Sequence, residues 1–231
     1  MGIIKKLSAS WHKEKSMTIL LAALVFYLFI FAPIAKADET GRIISGIFFS
    51  LLIISGVASV ANERKYKIFI VVFASLAFLS KWFATLLHSD KQIFGDLFSI
   101  LYFVLLGFVI SKHIFSNRNI NIHRIMGSVI LYLIIGMVFA YIYSIIEMFA
   151  NGSFLMTGRK PDETYESKFV YYSFITLTTT GYGDITPVRT IARSITIIEA
   201  LIGQLFPAIL IARLVSAEIA IKMHLALKKD K

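Results

Sequence analysis

Long apolar runs separated by short polar breaks dominate the chain. A helix needs about 20 mostly apolar residues to cross the hydrocarbon core of a membrane. Six runs meet this requirement, and they cover Met17–Ala35, Ile43–Ala61, Ile68–Leu87, Ile93–Ser111, Ile125–Phe149 and Thr190–Ile221. Between the last two lies a stretch whose apolar piece, Phe169–Leu177, is too short to cross. The pattern predicts an all-α membrane protein with six transmembrane helices and one short helix that does not span.

Composition supports this fold class. Hydrophobic residues make up 57% of the 231 residues and charged residues 16%, against about 45–50% and about 25% in soluble domains. The chain has no Cys, which excludes a disulfide scaffold, and its apolar content excludes intrinsic disorder.

The net charge of +10 is best explained by membrane topology. With a cytoplasmic N-terminus, 15 of the 24 Lys and Arg residues fall on the inner side and eight on the outer side. Such an excess of basic residues marks cytoplasmic loops. We therefore expect both termini in the cytoplasm and no nucleic-acid partner.

The first apolar run has an alternative interpretation. Ala35-Lys36-Ala37 follows it, and this tripeptide resembles the cleavage site of a secretory signal peptide. The run is longer than the usual 7–15 residues of a signal peptide, so we interpret it as a span.

The most informative segment is Tyr171–Val188, which reads YYSFITLTTTGYGDITPV. Its part Thr178–Asp184, TTTGYGD, resembles the selectivity filter of potassium channels, usually written TTVGYGD, with Thr180 in place of the commoner Val. The wider resemblance covers 124–215, with an outer helix, a pore helix, the filter and an inner helix. Four helices before this pair resemble the topology of six-helix channels, in which the pore helix and filter are re-entrant.

This resemblance implies a division of the chain into five parts. They are an amphipathic cytoplasmic N-terminus (1–16), a four-helix scaffold similar to a voltage sensor (17–111), a linker (112–123), a pore domain (124–221) and a basic cytoplasmic tail (222–231). The fourth predicted span contains no Arg or Lys. A voltage sensor needs several basic residues in the membrane field, so we do not expect this helix to sense voltage.

The chemistry of K⁺ explains the residue types of the motif. A dehydrated K⁺ needs oxygens that replace its hydration shell, and backbone carbonyls of four converging loops can supply them. Gly181 and Gly183 permit backbone conformations that other residues resist. The resemblance implies an ion-binding filter formed by Thr179, Thr180, Gly181, Tyr182 and Gly183, with the Thr179 hydroxyl as the innermost ligand. We expect K⁺ as cargo and no other cofactor, and Thr180 adds a hydroxyl behind the filter.

Several residues are predicted to support the filter. We expect Tyr171 to approach Asp184 and Tyr172 to support Tyr182, although simple aromatic packing would also explain both tyrosines. The resemblance places Glu147 in a hydrogen bond with the connection between the filter and the last helix, the alternative being exposure at the membrane surface. Glu199 lies too deep to reach water and is expected to face the pore helix or the back of the filter, with Thr176 or Thr178 as candidate partners.

The last span carries features associated with gating. The resemblance makes Gly203 a hinge, and Pro207 removes a backbone hydrogen bond and favours a kink; plain helix packing is the alternative for both. Gln204 and Pro207 are expected to face a water-filled cavity. In the scaffold, Lys81 and Asp96 lie at similar depths on neighbouring spans. We predict an ion pair between them, the alternative being separate hydration near the outer surface.

These observations predict a K⁺-selective channel that is a homotetramer in a lipid bilayer, in the inner membrane of a prokaryote by resemblance. A non-selective cation channel is one alternative, and a proton-coupled carrier that uses Asp96, Glu147 and Glu199 is another. No enzyme is expected, because the H-E-x-x-H, G-x-S-x-G and P-loop motifs are all absent.

Overall fold

Helices form nearly all of the described structure, a computed structural model that describes residues 16–31, 39–60, 64–86, 93–116, 122–157 and 165–229. In chain order the elements are α1 (Ser16–Ile30, closed by a π-helical turn at Tyr27–Phe31), α2 (Glu39–Ser59), α3 (Arg64–Leu86), α4 (Ile93–Ser116), α5 (Ile122–Phe149), β1 (Phe154–Met156), α6 (Tyr165–Leu177), β2 (Ile185–Pro187) and α7 (Thr190–Lys229). The predicted N-terminal amphipathic segment and the Ala35-Lys36-Ala37 motif lie outside these residues.

Within the residues that the structure describes, five helices are long and apolar enough to cross a membrane. Their apolar parts cover Thr40–Ser59, Tyr66–Ala84, Ile93–Lys112, Arg124–Phe149 and Thr190–Arg213. The first predicted span is helical over Ser16–Ile30, which is shorter than a bilayer crossing requires. A sixth crossing therefore stays an expectation. The last helix is longer than predicted, because α7 continues through Pro207 and past Ile221 to Lys229.

Helices that follow one another along the chain contact one another. Helix α3 packs between α2 and α4, and α4 packs along α5 of the same chain. Tyr102, Phe103 and Leu106 on α4 are completely buried at the centre of this core. The short connection between α4 and α5 favours such packing within one subunit, and the contact between the two helices agrees with it.

Helix α7 is mostly uncovered. Only 11% of its apolar window is buried within the chain. Ile197, Leu201, Leu205 and Ile209 recur every four residues, and each has more than half of its surface exposed. Residues four apart lie on one face of a helix, so these side chains form a continuous apolar stripe.

An antiparallel pair of strands joins the segment before α6 to the segment after it. The sequence analysis did not predict this pair. Phe154 pairs with Pro187, Leu155 with Thr186 and Met156 with Ile185. Strands of three residues are too short for the alternation of apolar and polar residues by which a strand is recognised. The described elements are otherwise helical, so the pair adds one local feature to an all-α fold.

Candidate functional site

The site begins where α6 ends. The amides of Thr180 and Gly181 both donate to the carbonyl of Ile175, at 2.8 and 3.1 Å, and the amide of Thr179 donates to Thr176 at 2.9 Å. Thr179 has a φ of 58°, the left-handed conformation that commonly ends a helix. The helix therefore stops sharply, and the chain leaves it in a new direction at the start of the TTTGYGD motif.

Left-handed backbone recurs at every second residue of the motif. The φ angles of Thr179, Gly181 and Gly183 are 58°, 53° and 82°. In an ordinary strand successive carbonyls point to opposite sides, whereas alternation of left-handed residues with others turns successive peptide units toward a common side. Gly181 and Gly183 adopt such angles at little cost. Thr179 is β-branched and strained there, which the sequence did not predict.

The two threonines next to this backbone are joined through their hydroxyls. Thr178 donates to the carbonyl of Phe174 at 2.7 Å, and the hydroxyls of Thr178 and Thr180 lie 2.9 Å apart. Because the Thr178 proton is already used, Thr180 is the donor in the second bond. The side chains of residues 178–183 are all exposed in the single chain, and Tyr182 is 73% exposed.

Asp184 follows the motif and is held by two parts of the chain. The Tyr171 hydroxyl donates to Oδ2 of Asp184 at 2.7 Å, and the Ile185 amide donates to Oδ1 at 3.1 Å. Partial burial and the contact with Asp184 raise the pKa of Tyr171 to about 12, so the hydroxyl remains protonated at neutral pH. The structure thus brings Tyr171 and Asp184 together.

The backbone of Asp184 is attached to the strand pair. Both the amide and the hydroxyl of Thr157 donate to the Asp184 carbonyl, at 2.8 and 2.9 Å. Thr157 directly follows β1, while Asp184 directly precedes β2. The loop after α5 therefore anchors the end of the motif, and sequence reasoning missed this residue.

We expect Thr157→Val to loosen this attachment, because valine keeps the branched shape but removes one hydrogen bond worth about 0.5–1.5 kcal/mol. Amides of β1 and β2 should exchange hydrogen about twofold to twelvefold faster, as measured by mass spectrometry of the protein in lipid. Thr157→Ser retains the hydroxyl and is the control with wild-type exchange. Equal exchange in the two variants would show that the hydroxyl bond contributes nothing.

Within the chain, the Tyr172 hydroxyl contacts α7 rather than Tyr182, and the predicted support of Tyr182 stays a prediction. The hydroxyl of Tyr172 lies 2.9 Å from Oγ1 of Thr196 on α7, and its ring packs against Tyr143 and Phe154 with centroids 4.9 and 5.3 Å apart. The side chain is buried on the side of α6 that faces α5 and α7. Tyr171 and Tyr172 are neighbours, and adjacent residues of a helix point in different directions, so only one of them reaches the outer loop.

Glu147 anchors a different segment from the one predicted. Its carboxylate accepts from the amides of Gly152 and Ser153 at 2.9 Å and from that of Phe154 at 3.2 Å, so it closes the turn that follows its own helix. Glu147 contacts the connection from the motif to α7 only through Ser153. The Ser153 carbonyl accepts a hydrogen bond from the amide of Val188 at 2.8 Å.

Glu199 is completely buried and faces α6. The Tyr143 hydroxyl of α5 lies 2.5 Å from Oε2, and the Ser173 hydroxyl of α6 lies 2.5 Å from Oε1. The prediction that Glu199 faces the pore helix agrees with this geometry. The predicted partners Thr176 and Thr178 do not form these hydrogen bonds with Glu199. Spacing in the sequence could not show which hydroxyl lies at the depth of Glu199.

Gly203 lies in direct contact with the end of α6. A Cβ atom at this position would overlap the carbonyl oxygen of Leu177 and lie 2.7 Å from its carbonyl carbon. The same oxygen accepts from the Tyr132 hydroxyl at 3.0 Å. Close packing against α6 therefore requires a glycine at position 203, which agrees with the alternative of plain helix packing. The role of Gly203 as a hinge stays a prediction. Gln204 is exposed and Pro207 is partly exposed in the single chain.

The predicted ion pair in the scaffold stays a prediction. Asp96 is buried in the first turn of α4, and Nζ of Lys81 lies 5.6 Å from the ring centre of Phe49. Over the described ranges, no group of three or more His, Cys, Asp or Glu side chains could hold a metal ion.

Together, the helices and the motif between α5 and α7 define an integral membrane protein with an ion channel domain. Residues 127–219, about two fifths of the chain, match the family model described as ion channel. This match supports a potassium-channel-type family, in agreement with the resemblance of the sequence. It also points to a transport protein rather than an enzyme.

Two curated relatives share part of the chain. Protein LctB of Geobacillus stearothermophilus is 40% identical over 84 residues, and Protein LctB of Bacillus caldotenax is 36% identical over 83 residues. Each alignment covers 33% of this chain and 59% of the relative. The chain thus spans about three fifths of the length of the curated relatives that it matches, and their names state no activity.

Proposed function

We propose that this protein is a K⁺-selective channel whose filter is TTTGYGD. The observation that carries the proposal is the left-handed backbone at Thr179, Gly181 and Gly183, since this alternation lets successive carbonyls face one axis. Carbonyl oxygens arranged in this way replace the hydration shell of K⁺. The proposed ligands are the carbonyls of Thr179, Thr180, Gly181 and Tyr182, with the Thr179 hydroxyl at the inner end, and Gly183 completes the turn toward Asp184.

We propose a homotetramer around this filter. One chain supplies one loop, and four loops are needed to surround an ion. The motif is exposed in the single chain, and the apolar stripe on α7 is uncovered. Both features are expected of surfaces that face the axis and neighbouring copies. Gln204 and Pro207 would then line the cavity below the filter.

The remaining parts follow from this proposal. We propose six crossings with both termini in the cytoplasm, a scaffold over 17–111, a linker over 112–123 and a pore domain over 124–221, with cytoplasmic ends at 1–16 and 222–231. The relatives named above come from bacteria, which supports a prokaryotic cell membrane. Helix α4 has no basic residue before Lys112, so gating would arise at the filter or in α7 rather than from charge movement in α4.

The test is ion flux through purified protein in liposomes. With K⁺ inside and Na⁺ outside, a K⁺-selective channel gives a reversal potential close to that of K⁺. A value midway between the two ions would instead support the non-selective alternative, in which the Thr180 hydroxyl disturbs the filter. Flux that saturates and requires a proton gradient would support a carrier and contradict the proposal.

A further inference from the structure

A cluster of buried oxygens lies behind the pore helix, away from the motif. Tyr143 of α5, Ser173 of α6 and Glu199 of α7 have no exposed surface. Each comes from a different helix, so the cluster connects all three elements around the motif. The described hydrogen bonds of Glu199 all involve hydroxyl groups, and Tyr132 and Tyr172 also lie within electrostatic reach of it.

The number of protons in this cluster can be counted. The Ser173 hydroxyl contacts two oxygens, the Gly136 carbonyl at 2.7 Å and Oε1 of Glu199 at 2.5 Å. Tyr143 contacts Oε2 of Glu199 at 2.5 Å. A serine or tyrosine hydroxyl carries one proton. With an ionised Glu199, two protons would have to serve three contacts, and two oxygens would face each other with no proton between them.

We propose that Glu199 is held as an uncharged carboxylic acid and donates its own proton to Ser173. Ser173 then donates to the Gly136 carbonyl, and Tyr143 donates to the second oxygen of Glu199, so that all three contacts contain a proton. Burial favours the same form, because an ionised carboxylate that is removed from water and held only by hydroxyls is costly. The proton of Glu199 thus completes a connection from α7 through α6 to α5.

This connection identifies Glu199 as a positioning residue for the pore helix. Ser173 lies in the last two turns of α6, and the motif begins directly after that helix. The inference deepens the proposed function, since it concerns the support of the same site. Its test needs no ion flux, so its failure would leave the proposed selectivity intact.

Infrared spectroscopy of the purified protein in lipid at neutral pH tests the proton directly. Carboxylic acids and carboxylates absorb at different frequencies, and the difference between wild type and Glu199→Gln isolates this one side chain. We expect the wild type to show a carboxylic acid band that Glu199→Gln removes. If the difference spectrum instead shows the loss of a carboxylate band, the proposal is overturned.

Glu147→Gln is a matched control for the same chemical change. A glutamine at 199 can donate from its amide to Ser173 and accept from Tyr143, so every contact is kept. A glutamine at 147 would place its side-chain NH2 group against a backbone N–H. Both groups are donors, so one hydrogen bond would be lost. We expect the melting temperature to fall by several degrees in Glu147→Gln and to stay close to wild type in Glu199→Gln. Equal losses in the two variants would contradict an uncharged Glu199.

Discussion

Replacing Gly181 with alanine should abolish K⁺ flux in liposomes. The φ of Gly181 is 53°, a conformation that costs an L-residue about 1–2 kcal/mol, and the proposed tetramer would contain the change four times. Alanine relieves this cost by turning the peptide unit, and a carbonyl then leaves the common side of the motif. No heavy atom of the same chain lies within 4 Å of the added methyl group, so the expected effect does not depend on a clash within the chain.

The control for Gly181→Ala is Gly152→Ala. Gly152 has a φ of 78° and equally open surroundings, but it lies in the turn after α5. The two variants carry a similar backbone cost, while only one of them alters the motif. We expect Gly152→Ala to assemble and conduct, and Gly181→Ala to assemble without conducting. Equal conduction by the two variants would contradict the assignment of the filter.

Replacing Gly203 with alanine should both destabilise the protein and stop flux. The new methyl group would overlap the Leu177 carbonyl at the end of α6, where only backbone atoms could move. Overpacking of this kind costs about 1–3 kcal/mol or more. Because the motif begins one residue after Leu177, the displacement would reach Thr178 and Thr179 directly. Thermal unfolding in detergent and liposome flux measure the two effects.

Gly46→Ala provides the same substitution where there is space. A Cβ at Gly46 would lie 3.8 Å from the Trp82 ring, an ordinary contact distance, and alanine favours a helix by about 0.5–1 kcal/mol over glycine. We expect this variant to be at least as stable as wild type. If Gly203→Ala behaves in the same way, the close contact between α7 and α6 is not required.

The sequence predicted the elements that depend on composition over many residues. Five of the six long apolar runs correspond to helices that could cross a membrane, and the short run Phe169–Leu177 corresponds to α6, which begins earlier, at Tyr165. The positions of Gly181 and Gly183 in the motif were sufficient to predict their unusual backbone. These features are local, so no knowledge of packing was needed.

The contacts that join distant parts of the chain could not be predicted in the same way. Tyr143 and Glu199 are 56 residues apart, and their meeting depends on the relative depth and rotation of two helices. Thr157 is one of many polar residues in a loop, and only the strand pair gives it a partner. Side-chain hydroxyls form hydrogen bonds in many settings, so their presence in a sequence does not identify the acceptor.

The packing of α4 along α5 of the same chain has a consequence for mixed assemblies. The scaffold contacts α5 of its own polypeptide. A defect in one scaffold would therefore act on the pore domain of the same subunit, which is one of four in the proposed tetramer. In concatenated chains, the effect of altered scaffolds should then grow with the number of altered copies and be independent of their order around the ring.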